Sequence, residues 1–239
     1  MKVIVTKDYE ALSDAAFEVM KEVLDENDHA VLGLATGSSP EGLYARMVED
    51  YKEGKHSYKD VVTYNLDEYV GIDRNDPQSY YTFMNDHLFS HIDIKPENTH
   101  VPYGSTDADA KAYDDQVKDV DIQLLGIGRN GHIGFSEPGT PFDERTHIVD
   151  LTESTIEANK RFFDNDVNKV PKQAISQGIG TIMDAKKVLL IASGLDKADA
   201  VKAMIEGEES IDCPASALQS HPDVTVVIDE AAASKLSDK

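Results

Sequence analysis

Six short segments of strand character, each released into a small or polar loop or a helical pattern, constrain this chain more than any other feature. Residues 2–6, 30–35, 61–64, 120–125, 187–192 and 224–228 are too short to be buried helices. The run Ala-Val-Leu-Gly-Leu-Ala at 30–35 shows no polar alternation, as expected of a strand covered on both faces. Helical patterns lie between the strands at about 8–26, 40–53, 79–90, 107–118 and 153–163, near 180–185 and from Leu195, with a further short strand at 148–151. This alternation predicts an α/β fold, a Rossmann-like three-layer sandwich with a mostly parallel sheet and helices on both faces. Ligands in such folds gather beyond the carboxyl ends of the strands. With 239 residues, no Pro- or Ser-rich linker and no internal repeat, a single domain over 1–239 is expected.

The loop leaving the 120–125 strand carries the most chemistry. Residues 126–137 read Gly-Ile-Gly-Arg-Asn-Gly-His-Ile-Gly-Phe-Ser-Glu, which sets His132 in a glycine-dense turn with Glu137 five positions on. Glycines let the backbone approach a ligand closely, and an imidazole near a carboxylate suits acid–base work at neutral pH. The competing reading is a surface loop with an idle histidine; the coincidence of strand end, turn and carboxylate favours function. Gly126, Gly128 and Gly131 also match the dinucleotide fingerprint, with Asp150 near the distance expected of a ribose-binding acid. That fingerprint needs a helix starting at its last glycine. Gly134, Pro138, Gly139 and Pro141 oppose one, so no nicotinamide or flavin cofactor is expected.

Three more polar loops sit at strand ends. Thr36-Gly37-Ser38-Ser39 precedes a helix opening at Pro40, where amides and hydroxyls can bind phosphate, although Ser39 could instead be a plain N-cap. In Asn65-Leu66-Asp67-Glu68, an extended backbone would send Asp67 and Glu68 to opposite sides, so only one can face a given pocket. Ser193-Gly194-Leu195-Asp196-Lys197 can bring an ammonium to an anion, against the commoner fate of a solvated lysine. Outside these turns, Arg161 lies among Phe162, Phe163, Asp164 and Asp166, and is suited either to gripping phosphate or to pairing with one of those acids.

Charge limits the partners. Against 23 basic residues there are 45 acidic ones, a formal net charge of −22, which repels nucleic acid and anionic membrane. The same field slows an anionic small molecule unless basic residues are concentrated locally. The single cysteine, Cys213, forms no intrachain disulfide and reads as a small apolar filler; no zinc-type cluster is visible. The N-terminal apolar run is too short for a signal peptide and no segment is long enough to span a bilayer, so a soluble cytoplasmic protein is expected.

Taken together, Ala-Thr-Gly-Ser-Ser-Pro (35–40), Asn-Leu-Asp-Glu-Tyr-Val-Gly (65–71), Gly-Arg-Asn-Gly-His-Ile-Gly-Phe-Ser-Glu-Pro (128–138) and Arg-Phe-Phe-Asp-Asn-Asp-Val-Asn-Lys-Val-Pro-Lys (161–172) resemble the glucosamine-6-phosphate deaminase family, over nearly the whole chain. The resemblance implies conversion of glucosamine 6-phosphate and water to fructose 6-phosphate and ammonium, in amino sugar catabolism, without redox cofactor or essential metal. It implies that Asp67 moves the proton from C2 to C1, that His132 opens the sugar ring, and that Glu137 orients and charge-tunes His132. It also implies that Thr36, Gly37, Ser38, Ser39, Arg161 and Lys197 hold the phosphate, beneath a mobile lid at about 151–171.

Two departures from the family pattern matter. Regulated members carry an aspartate where this chain has Asn130, so an amide that can only hydrogen-bond the ring is expected to leave His132 relying more on Glu137. In Arg145-Thr146-His147-Ile148-Val149, His147 and Val149 stand where regulated members carry basic residues for an acetylated sugar phosphate. An unregulated enzyme is therefore expected, a monomer rather than the allosteric hexamer. The rival readings are a 6-phosphogluconolactonase-like hydrolase, whose pattern lacks the glutamate at 137, and a non-catalytic sugar-phosphate-sensing module, which would need the anion loops but no paired base.

Overall fold

The structure, a computed structural model, describes residues 1–237. The chain runs β1 (Lys2–Thr6), α1 (Tyr9–Glu26), β2 (Val31–Leu34), α2 (Glu41–Lys52), β3 (Val62–Asn65), β4 (Asp67–Tyr69), α3 (Tyr80–His87), β5 (Thr99–His100) and α4 (Asp107–Gln116). It continues through β6 (Ile122–Leu125), β7 (His147–Asp150), α5 (Glu153–Asn159), β8 (Gln173–Ser176), α6 (Ile179–Met183), β9 (Lys187–Ala192), α7 (Ala198–Glu206) and β10 (Val224–Asp229).

Seven strands form the main sheet in the order β1-β10-β9-β6-β2-β3-β5, and every pairing in it is parallel. Parallel strands need crossovers, and the helices that make them cover the sheet, which is why its central strands are apolar at consecutive positions. All four residues of β6 are buried, as are Val188 to Ala192 of β9. Each fully buried Leu, Ile or Val contributes roughly 1.5–3 kcal/mol, so these strands supply a substantial part of the core's stability. The edge strand β1 is the least covered of the long strands, with Val3 and Val5 exposed.

Helix boundaries follow local chemistry. Asp8 caps α1 by accepting from the Ala11 amide at 2.8 Å, and Thr106 with Asp109 makes a capping box on α4. At α2 the capping position is Pro40 rather than Ser39, so Ser39 is not spent on the helix.

A second, three-stranded sheet, β4-β8-β7, is antiparallel. Of its strands only β7 is anticipated by the sequence pattern. Three residues with two acids (β4) and four residues just after Pro171 (β8) are too short to show a period. This sheet, with Tyr69, Ile72, Leu151 and Ala174, forms a small separate core against which Phe135, Ile156 and Phe163 pack. Among the described residues, no helix is long and apolar enough to cross a membrane.

Candidate active site

Four loops leave the carboxyl ends of four adjacent strands, β9, β6, β2 and β3. From β2 the chain moves to β3 on one side; from β6 it moves to β9 on the other. The direction of winding therefore reverses between β2 and β6, and the loops there diverge to leave a crevice. Residues 36–39, 65–69, 126–137 and 193–197 all border it.

His132 is held from several directions. The Gly131 amide donates to the Gly128 carbonyl at 3.0 Å, closing a tight turn, and the Gly128 amide donates to the His132 carbonyl at 2.9 Å. The imidazole lies against Gly128 so closely that a Cβ there would fall 2.1 Å from His132 Cε1. Gly131 has φ +84°, a conformation that disfavours other residues. Its carbonyl accepts from the Ala215 amide at 2.9 Å, and Cys213 packs on the turn, so this half-buried thiol braces the histidine loop.

Asn130 is the direct partner of the imidazole. Its Nδ2 donates to Glu137 Oε2 at 2.7 Å, which turns its Oδ1 toward His132 Nδ1, also at 2.7 Å. A carboxylate accepts only, so the amide has one favourable orientation, and the ring must carry its proton on Nδ1 to donate to Oδ1. The Nε2 lone pair is then left to accept a proton. Glu137 stands 3.7 Å from Nδ1, beyond hydrogen-bond range. The carboxylate therefore reaches the ring in two ways, by its charge across this gap and by its hydrogen bond through Asn130. Burial, with the positive charge of Lys197, lowers the His132 pKa against the opposing pull of Glu137. The neutral ring is favoured.

Asp67 and Glu68 divide as an extended backbone requires. The carboxylate of Glu68 accepts from the amides of Tyr69, Tyr80 and Tyr81 at 2.9–3.1 Å, so it caps the start of α3 and is structural. The carboxyl of Asp67 makes no hydrogen bond among the described residues and is 7% exposed. Burial, with the nearby Glu68, raises its pKa to about 7.

On the phosphate side, Tyr9 donates to the carbonyls of Ser38 and Ser39, at 2.9 and 3.0 Å, and accepts from the Gly42 amide. These bonds shape the 36–39 loop through its backbone. Among the described residues, the side chains of Thr36, Ser38 and Ser39 make no hydrogen bond. Ser39 lies against Gly126, so this loop and the histidine loop share one wall. Lys197 Nζ donates to the Ile127 carbonyl at 2.7 Å, and burial lowers its pKa. Arg161 stands apart. Its guanidinium lies over the Phe162 ring at 4.6 Å, and neither Asp164 nor Asp166 pairs with it.

Residues 7–227 match the family described as glucosamine-6-phosphate isomerases/6-phosphogluconolactonase. The chain belongs to this family. Glucosamine-6-phosphate deaminase of Thermoanaerobacter pseudethanolicus is 47% identical over 245 aligned residues, covering 100% of this chain and 96% of the relative. Glucosamine-6-phosphate deaminase 2 of Bacillus subtilis is 48% identical, covering 99% and 98%. A solved structure of a monomeric glucosamine-6-phosphate deaminase superimposes with a TM-score of 0.93 at 48% identity, over 98% of this chain and 99% of that one. The 6-phosphogluconolactonase of Trypanosoma brucei shares the fold at a TM-score of 0.80 and 20% identity, covering 99% and 98%.

In this family member the segment after β7 reaches back over the crevice. Asn159 donates to the Tyr69 hydroxyl at 2.9 Å, Phe163 meets the Tyr69 ring edge-on, and Thr155 Oγ1 lies 3.5 Å from Glu137 Oε1. Because β8 pairs with β4, the segment returns directly beside Asp67, opposite Ser176. Tyr69 and Arg129 are site-bordering residues that sequence reasoning missed, although both lie inside the motifs singled out. An open groove of about 620 Å³ beside Gly71, Asp73, Phe162 and Lys169 holds none of the candidate catalytic groups. Just before β7, Arg145 is committed to ion pairs with Asp114 and Asp184.

Proposed function

We propose that the chain is a glucosamine-6-phosphate deaminase, converting glucosamine 6-phosphate and water to fructose 6-phosphate and ammonium. One observation carries the assignment of roles: a neutral histidine with a free Nε2 on the loop after β6, and a buried carboxyl with a pKa of about 7 on β4, border the same crevice. An aldose-to-ketose conversion needs those two groups apart, one at the ring oxygens and one over C1 and C2.

In this reading, His132 Nε2 takes the proton of the O1 hydroxyl and delivers it to O5, opening the ring. The imidazolium that forms in between is stabilised by Glu137 through Asn130, so one bridge sets the tautomer and spreads the charge. Asp67 in its ionised form removes the proton from C2 while O1 takes up the proton that the substrate's own ammonium group releases, giving an enolamine, and it then returns the C2 proton to C1. The resulting iminium at C2 is hydrolysed by water to the ketone, releasing ammonium. A base with a pKa near 7 is half ionised at neutral pH and still strong enough to take a carbon-bound proton. Thr36, Gly37, Ser38, Ser39 and Lys197 anchor the phosphate. Arg161 joins them when residues 151–171 close as a lid, which moves it off Phe162.

Matched release of ammonium and fructose 6-phosphate from glucosamine 6-phosphate by metal-free protein is the expected result. Tight binding without turnover would refute it in favour of a sensing module, and hydrolysis of 6-phosphogluconolactone in favour of the lactonase. The solved relative is monomeric; for this chain we infer a cytoplasmic monomer with a hyperbolic rate curve that N-acetylglucosamine 6-phosphate leaves unchanged. A dimer or larger by light scattering, or activation by that sugar, overturns this part.

A further inference from the structure

The chain's net charge of −22 opposes the approach of a sugar phosphate. At the crevice rim, however, two cations come together. Arg129 and Asn130 occupy the central positions of the Gly128–Gly131 turn. Asn130 reaches inward to His132, whereas Arg129 reaches across to the neighbouring loop, where its Nε donates to Asp196 Oδ2 at 2.9 Å. Asp196 directly precedes Lys197, and the positive charge of Arg129 is one of the influences that depress the Lys197 pKa, after burial. Lys197 in turn acts on His132. These three groups therefore share one local field.

The Arg129 side chain is 78% exposed, and only its Nε is engaged. Among the described residues its two terminal nitrogens make no bond, so the fork that grips phosphate bidentately is open. An exposed pair such as Arg129–Asp196 is weakly held and yields to a stronger anion.

We propose that Arg129 is a further substrate-binding residue, a cation parked on Asp196 that draws in the phosphate group and turns to it as the sugar enters. The inference deepens the deaminase reading and takes only the identity of the sugar from it. Its test compares Arg129→Gln, Arg129→Lys and Asp196→Asn with Lys111→Gln, a control that removes one exposed charge on α4. For each, KM and kcat for glucosamine 6-phosphate are measured across ionic strength. Affinity for inorganic phosphate is measured by calorimetry, which needs no turnover.

R129Q is expected to raise KM and the phosphate dissociation constant in parallel, by roughly three- to tenfold, and to flatten the salt dependence of kcat/KM. R129K, with charge but no fork, should lie between R129Q and wild type and keeps the comparison available should R129Q misfold. D196N should lower KM. If R129Q and R129K match K111Q in KM, phosphate affinity and salt dependence, the proposal is overturned. Loss of the deaminase reading would show differently, as wild-type protein that binds phosphate but does not turn over the sugar.

Discussion

Replacing Asp67 by asparagine separates two consequences of one buried carboxyl. In the unfolded chain this group titrates near 4, and in the fold burial lifts it to about 7. Because the folded pKa is raised, its contribution to stability is complete below about pH 4 and is lost as pH rises toward 7. In that window the unfolded chain releases a proton that the folded chain retains. Each pH unit costs about 1.4 kcal/mol, so by neutral pH the native state has lost on the order of 4 kcal/mol. Asparagine has the same shape and never ionises. The stability of Asp67→Asn relative to wild type should therefore rise by roughly 1 kcal/mol per pH unit between about pH 5 and 7 and level off above. Urea unfolding of both proteins from about pH 5 to 8 reads this difference. Burying an amide without a partner costs about 1–3 kcal/mol, but that cost does not vary with pH and leaves the slope intact. Turnover should fall at least about a hundredfold while substrate still binds. A stability difference independent of pH refutes the burial argument, and near-wild-type turnover refutes the assignment of Asp67 as the base.

Other perturbations probe the remaining parts. Wild-type kcat/KM should fall on the acid side with a midpoint near pH 7, because protonated Asp67 accepts nothing; a flat profile down to about pH 5.5 contradicts this. Gly128→Ala places a methyl group 2.1 Å from His132 Cε1, so kcat should drop about a hundredfold while inorganic phosphate still binds. Unimpaired turnover would show the ring has room to move. Asn130→Asp puts a second carboxylate beside the ring and should raise the His132 titration midpoint, followed by NMR, by about one pH unit; an unmoved midpoint denies the direct contact. Lys197→Ala should raise KM roughly tenfold with little change in kcat, since phosphate contacts are common to ground and transition states. Unchanged affinity would remove Lys197 from the anchor.

Much of the main sheet was legible because burial on both faces writes itself into consecutive residues. The strands at 31–34, 122–125, 187–192 and 224–229 each coincide with an apolar run. The second sheet was not legible, since β4 and β8 owe their conformation to each other rather than to any local pattern. The same holds within the site. His132 stands out by its turn, but its dependence on Asn130 follows from a relay that only closes when Glu137 folds back.

By itself, the sequence determined the layer architecture, the loops that could carry chemistry and the residue types available in them. Periodicity and glycine placement are local properties, expressed before any distant contact forms. The tertiary structure alone decided the surroundings of the two adjacent acids: Glu68 is committed to the start of α3, and Asp67 is left buried, with no hydrogen-bond partner for its carboxyl among the described residues. It likewise decided which nitrogen of His132 is free, and it set Arg129 beside Lys197. Those outcomes depend on desolvation and on partners far apart in the chain, and both come into being only when the strands are aligned.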